Sequence, residues 1–361
     1  MFNIALGIFL LLSPILFLHL SVPALATLQF HQFGHFSNSI NLVQLQIFMY
    51  GVVLLGIVAL FNAPKRLFGD DYFKWILLLC FVSVYLHPKT LKFFPIIFLG
   101  FLLYYLVSVC ASVKNLKPFF KVIIFVSLLN TIFAVLQFFG VHFLFSKKDE
   151  IIGLMNYKSQ LGIYQALALP ICYVVNPFLC IIPIVGLLLS KSATAIVAAV
   201  IGMGYLFKKR GLYIHSIPVW LCIFSISAVF LYKHFYKLSM RFPAWIESIK
   251  GGLSHPFVGN GIGTFNYIDN KFRIPVEYQD PYSIYLGVFY ALGIFGLVAL
   301  IFFLKDKFFG FEQSSMTKAL SASCVVLLVA GLGYSFMDYP RLAGTAVVLL
   351  GLLTAVKKES V

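Results

Sequence analysis

What most constrains this chain is a near-unbroken succession of apolar runs. They fall at 3–20, 44–62, 72–87, 93–112, 119–140, 160–175, 178–190, 192–207, 215–232, 282–304, 318–336 and 341–356. A helix that spans a bilayer needs about 20 apolar residues, and most of these runs approach that length. Hydrophobic residues make up 61% of the chain and charged residues 11%, against about 25% charged in a soluble domain. No protein interior hides that much apolar surface, so lipid is the expected solvent. The expected fold is all-α: one polytopic integral membrane bundle over 1–361, with about twelve transmembrane helices and a long external loop at 233–281. The three runs between 160 and 207 are short, and are expected to tilt or re-enter. The first run leads into Val22-Pro-Ala-Leu-Ala26, a cleavage-like segment, but it lacks a basic start and reads as an uncleaved helix.

A net charge of +15 would ordinarily raise nucleic acid as a partner. Here the Lys and Arg residues sit in the loops between apolar runs, where membrane topology accounts for them. With the N-terminus in the cytoplasm, the inner loops and tail carry fourteen basic residues, among them Lys65, Lys117, Lys208, Lys305 and Lys357, and the short outer loops carry seven. Both termini are therefore expected inside, and 233–281 outside. The six cysteines lie in or beside apolar runs without a CxxC pair, so they read as buried thiols. No metal site and no cofactor is expected.

Five polar features then share the outer face. They are Gly153-Leu-Met-Asn156-Tyr-Lys158, the turn Ser190-Lys191-Ser192, the segment Arg241-Phe-Pro-Ala-Trp245, the pair Tyr282-Ser283, and Asp338-Tyr-Pro-Arg341. The Arg241 segment is expected as a short amphipathic helix lying at the interface, with Trp245 as anchor. It is followed by His255-Pro-Phe-Val-Gly259-Asn-Gly261-Ile-Gly263. No strand precedes these glycines and no Lys-Ser/Thr follows them, so they are no nucleotide loop. A tight structural turn at Gly259, Gly261 and Gly263, bringing the backbone close to another element, is expected instead.

The order of these pieces over 150–345, ending in Gly293-Ile-Phe-Gly296, resembles the O-antigen ligase and polymerase superfamily. The resemblance is densest over 241–296. It implies a bacterial inner-membrane enzyme that moves glycan from a polyprenyl-pyrophosphate carrier on the outer face, without a metal. Such chemistry needs fixed cations for the pyrophosphate leaving group and a base for the acceptor hydroxyl. On that reading Arg241 and Lys191 bind pyrophosphate, with Asn156, Lys158 and Arg341 as further binding candidates. Asp280 or Tyr282 assists the acceptor, Glu277 and His255 being weaker alternatives. Two positions depart from the family pattern: Tyr282 stands where ligases carry His, and Ala193 where an Arg is usual. The missing His favours a polymerase, which joins glycan on one carrier to glycan on another. The alternatives are a ligase that uses lipid A–core as acceptor and, outside this class, a non-enzymatic polysaccharide transporter or flippase. Membrane lipid and a chain-length regulator are the other expected partners. Transporters place ionisable residues mid-membrane. The interiors of these runs contain almost none, which favours surface chemistry.

Overall fold

The computed structural model describes residues 71–86, 94–111, 116–141, 150–155, 157–210, 241–262, 264–265, 281–308, 314–335 and 340–360. The runs at 3–20, 44–62 and 215–232 lie outside the described residues, as do 233–240, 263 and 266–280 of the expected external loop. Backbone polar groups in lipid must find partners within the segment, which leaves helices and closed barrels. The described residues are helical and contain no strand. The helices are α1 (Asp71–Leu86), α2 (Phe94–Cys110), α3 (Leu116–Phe138), α4 (Lys158–Val175), α5 (Ile181–Ser190), α6 (Ala193–Arg210), α7 (Phe242–Ser254), α8 (Ile284–Phe308), α9 (Ser315–Gly333) and α10 (Pro340–Ser360). A 3-10 turn, Pro177–Cys180, leads into α5. By length and composition α3, α8 and α9 are long and apolar enough to cross a membrane.

The centre of the bundle is α4, α6 and α9, and small residues let it close. Between helices in lipid no hydrophobic force operates, so close backbone approach and dispersion take its place. Ala166, Ala168, Ala195, Ala198, Ala319, Ala322 and Ala330 are fully buried. A Cβ on Gly202 would stand 2.3 Å from the Val326 side chain and 3.1 Å from the Ala322 carbonyl. Ser323 Oγ donates to the Leu167 carbonyl at 2.7 Å, joining α9 to α4. A buried polar network joins α3, α4 and α5. Ser127 Oγ donates to Gln165 Oε1, Gln165 Nε2 donates to the Ser127 carbonyl and to Thr131 Oγ1 at 3.1 Å, and Thr131 Oγ1 donates to the Ile182 carbonyl at 3.0 Å. Satisfied in this way, the network fixes register instead of costing stability.

Packing also sorts the helix ends. The C-terminal ends of α3, α5 and α9 gather with the N-terminal ends of α4, α6 and α8. The opposite ends carry Lys117, Lys121, Lys208, Lys305, Lys307, Lys318 and Lys357. There Lys357 Nζ lies 2.7 Å from Asp306 Oδ1, and Lys307 Nζ lies 3.1 Å from Asp306 Oδ2.

One expectation changes. The helix after Arg241 forms, with Pro243 in its first turn as proline prefers, but it does not lie across the bundle end. Arg241 stacks on Tyr282, Gly252 and Gly251 meet Phe289 and Tyr290, and Gly259 meets Ala291. α7 therefore runs alongside the first half of α8, in the same direction. Its glycines and Ala244, Glu247 and Ser248 face inward, and this small-residue face draws it against α8.

Candidate functional site

The gathered helix ends meet at Arg241. Its Nη1 donates to the Gly333 carbonyl at the C-terminus of α9, where orphan carbonyls await a donor. The guanidinium lies 5.4 Å from the centre of the Tyr282 ring, a cation–π contact. A Cβ on Gly333 would lie in ordinary contact with Thr194, 3.4 Å away, and 3.7 Å from Arg241 Nη1, which sets the start of α6 beside the same point. Arg241 and Trp245 are one turn apart and share a face of α7. Two buried polar groups at this convergence, Trp245 Nε1 and Ser335 Oγ, have no hydrogen-bond partner among the described residues. The same end presents the N-termini of α6, α7 and α8, whose free N–H groups and dipoles favour an anion.

Lys191 is the C-cap of α5, and its N–H donates to the Leu188 carbonyl at 3.2 Å. It sits two residues before α6, exposed, at φ 49°. Tyr282 has φ 50°, and these are the only non-glycine residues in the left-handed region among the described residues. Such backbone costs about 1–3 kcal/mol and persists where the surroundings dictate it. Ser283 is buried, and its Oγ accepts from Leu286 N–H at 3.5 Å, capping α8. The turn holding Lys191 also touches the start of α4. A Cβ on Gly162 would lie 2.6 Å from Ser190 Oγ and 2.9 Å from Ser192 Cβ. Lys158, at that start, lies 3.9 Å from Glu150. The structure thus gathers Arg241, Tyr282, Lys191 and Lys158 at one end. Asp280, Asn156, Gly263, Glu277 and Asp338 lie outside the described residues. Arg341 is the second residue of α10, and its side chain lies outside the description as well.

The loop before α4 dips beside α3. Gln137 Oε1 accepts from the N–H groups of Ile152 and Gly153, both at 2.8 Å, and Gln137 Nε2 donates to the Gly153 carbonyl at 3.0 Å. Asn130 Oδ1 accepts from Leu154 N–H at 3.2 Å. Asn130 lies eight residues before the end of α3, about 12 Å along it. Ile152, Leu154 and Met155 are buried there.

The glycine turn docks where α8 breaks. At Gly293 the backbone has φ 67° and ψ −163°, a conformation that suits glycine. The break frees two carbonyls, and the turn answers them. Asn260 N–H donates to Tyr290 O at 2.9 Å, and Gly261 N–H to Ala291 O at 3.0 Å, while Ile294 N–H donates back to Pro256 O at 2.7 Å. A Cβ on Gly259 would lie 2.4 Å from the Ala291 carbonyl, and one on Gly293 would lie 2.5 Å from that of Phe257. Asn260 Nδ2 donates to Gly251 O at 2.7 Å, which turns its Oδ1 toward His255 Nδ1, 2.9 Å away. An amide oxygen only accepts, so His255 Nδ1 carries the proton. His255 lies fourteen residues from Arg241, about 20 Å along α7, and does not join the Arg241 cluster. Glu247 is buried on the inner face of α7. Burial raises its pKa above the ordinary value, and nearby Lys250 partly offsets this.

Sequence reasoning missed Gly333, Thr194, Ser335, Gln137 and Asn130. The first three are small residues in apolar runs. The two amides carried a faint signal, as the polar exceptions on one face of a 23-residue apolar helix. No protein-family model matches this chain, and no curated protein matches it.

Proposed function

We propose that this protein transfers glycan between polyprenyl-pyrophosphate carriers at the Arg241 end of the bundle, as a metal-independent membrane polymerase. The observation that carries the reading is the placement of Arg241. A cation stands among three helix N-termini, with two buried polar groups that no described residue answers, at the end of the bundle opposite the lysine cluster. Cations and helix N-termini held in advance stabilise the charge that develops on a departing pyrophosphate. Trp245 and Ser335 offer hydrogen-bonding groups to a hydroxyl-rich ligand. The lysine-rich ends match the cytoplasmic bias of membrane proteins, which supports an outer-face position for Arg241. Lys191, across the α5–α6 turn, is the second pyrophosphate cation, and Tyr282 orients Arg241 through its ring. Asp280, two residues before Tyr282, is the acceptor base.

The test is the lipopolysaccharide ladder of a deletion strain complemented with wild type or with Arg241→Ala. Core bearing a single repeat unit in the deletion strain, with the ladder restored by wild type and not by Arg241→Ala, is the expected result. Bare core with accumulated lipid-linked polymer would assign the ligase reaction instead. An unchanged ladder would overturn an O-antigen role.

A further inference from the structure

The outward side of α7 carries an apolar stripe along its length, with the exposed Lys250 at its edge. Phe242, Ile246, Ile249 and Leu253 recur at helical spacing and are 41%, 50%, 42% and 63% exposed. Phe257, just beyond the helix and 61% exposed, packs its ring 5.8 Å from that of Phe295 on α8. From Phe295 the exposed apolar surface continues along α8 through Val298, Ile301 and Phe302. The face of α7 is therefore one sheet of apolar surface with the outward side of a helix long and apolar enough to cross a bilayer.

The level of this face along the bundle follows from named contacts. Arg241 and Tyr282 mark the top, where Gly333 ends α9. α7 then descends with α8 to the break at Gly293, nine residues into α8 and about 14 Å along it. α9 has 19 residues and is about 28 Å long, close to the roughly 30 Å of a bilayer's hydrocarbon. The turn at Phe257 thus stands about halfway down. Non-helical backbone at such depth is tolerated where protein or water meets it: Gly259 and Gly261 are buried against α8, Asn260 and Gly261 bond its freed carbonyls, and Ser254, His255 and Pro256 are exposed. Glu247 and Lys250, in electrostatic contact on one edge of α7, border the apolar face. Ionisable groups at such depth line water or protein rather than lipid.

We propose that α7 and the turn to Phe257 form a re-entrant segment whose Phe242–Ile246–Ile249–Leu253–Phe257 face contacts lipid acyl chains down to half the bilayer's thickness. The occupant is hydrocarbon because the surface is continuous with α8's outward side and lies within the height of α9. The proposal stands whether or not the protein transfers glycan.

The experiment uses full-length protein in lipid nanodiscs, with Phe242, Ile246 or Leu253 replaced singly by an encoded keto-phenylalanine carrying a nitroxide. All three positions are exposed, the aromatic replacement at 242 keeps the ring that meets Trp245 edge-on at 5.4 Å, and the native thiols remain. Relaxation by oxygen relative to a nickel chelate reports depth. The label at 253 is expected to lie deeper than that at 242 by about 16 Å for a helix along the bilayer normal, eleven residues at 1.5 Å each. Equal, shallow depths would mean a helix flat on the surface and would overturn the proposal. Strong nickel relaxation at all three positions would place the face in water. Weak relaxation by both reagents would place it under a second protein copy. Either result overturns it as well.

Discussion

Two stretches of non-helical backbone dock inside this bundle, and they are held in opposite ways. The loop at 150–155 lies against an intact helix, and α3 reaches it with the side chains of Gln137 and Asn130. The turn at 255–261 lies against a broken helix, and α8 offers it backbone carbonyls freed at Gly293. In the first case specificity resides in two amides, and the helix would survive without them. In the second it resides in the absence of side chains, since Gly259 and Gly293 stand where any Cβ would collide with backbone. A glycine dock is therefore the more brittle of the two.

Gly293→Val gives the largest expected effect. It sets a branched side chain at φ 67° and 2.5 Å from the Phe257 carbonyl, a combination of backbone strain and overpacking that costs about 3 kcal/mol or more. In detergent the variant should lose most of its monodisperse folded fraction. Wild-type yield and melting temperature would show that the turn does not dock on α8. Gln137→Leu comes next. It strips the partners from the Ile152 and Gly153 N–H groups, and unsatisfied buried donors cost about 1–3 kcal/mol each. Amide hydrogen exchange at 152–154 should accelerate while exchange in α3 stays slow. Equal acceleration in both would mean that the loop and the helix are one unit. Asn130→Ala removes one hydrogen bond to the loop, from Leu154 N–H at 3.2 Å, and one within α3, from Nδ2 to the Val126 carbonyl at 3.0 Å. Only the first leaves a loop donor unanswered, so the variant should cost about 1 kcal/mol, read as a smaller change in exchange at 154 alone.

The contrast also shows what can be read from sequence. The helices α1 to α6 and α8 to α10 follow the apolar runs closely, because in lipid a run of that kind has no other structure open to it. The glycine spacing marked a tight turn, and Arg241 stood out as the cation that precedes it in sequence. The level and direction of α7 were hidden, since a stripe of four apolar residues suits a helix on a membrane surface and one inserted beside α8 equally well. Only the inward face, with Gly251 and Gly252 against Tyr290 and Phe289, separates the two. Gln137 and Asn130 were hidden for another reason. A polar residue in an apolar run reports that it needs a partner, and the partner here is backbone, which carries no signature in sequence.

The smallest expected effect separates the two docks by pH. The loop at 150–155 is pinned by neutral amides, and the ion pair of Lys158 with Glu150 is half-exposed and 3.9 Å apart, where such pairs contribute little. The α7–α8 interface buries Glu247, whose pKa is raised above the ordinary 4.5 by desolvation, with Lys250 opposing. A carboxyl that binds its proton more tightly folded than unfolded favours the fold when protonated. Its contribution is fully present below pH 4.5 and falls as the pH rises through the folded value. Glu247→Gln keeps the shape and removes the charge, so it should raise the melting temperature at pH 8 by a degree or two, on the order of 0.5 kcal/mol, and leave it unchanged at pH 4. Melting curves of both proteins in the same detergent at the two pH values read the difference. A variant less stable than wild type at pH 8 would mean that the carboxylate and Lys250 hold the interface together as an ion pair. The second dock would then depend on charge as well as on glycine.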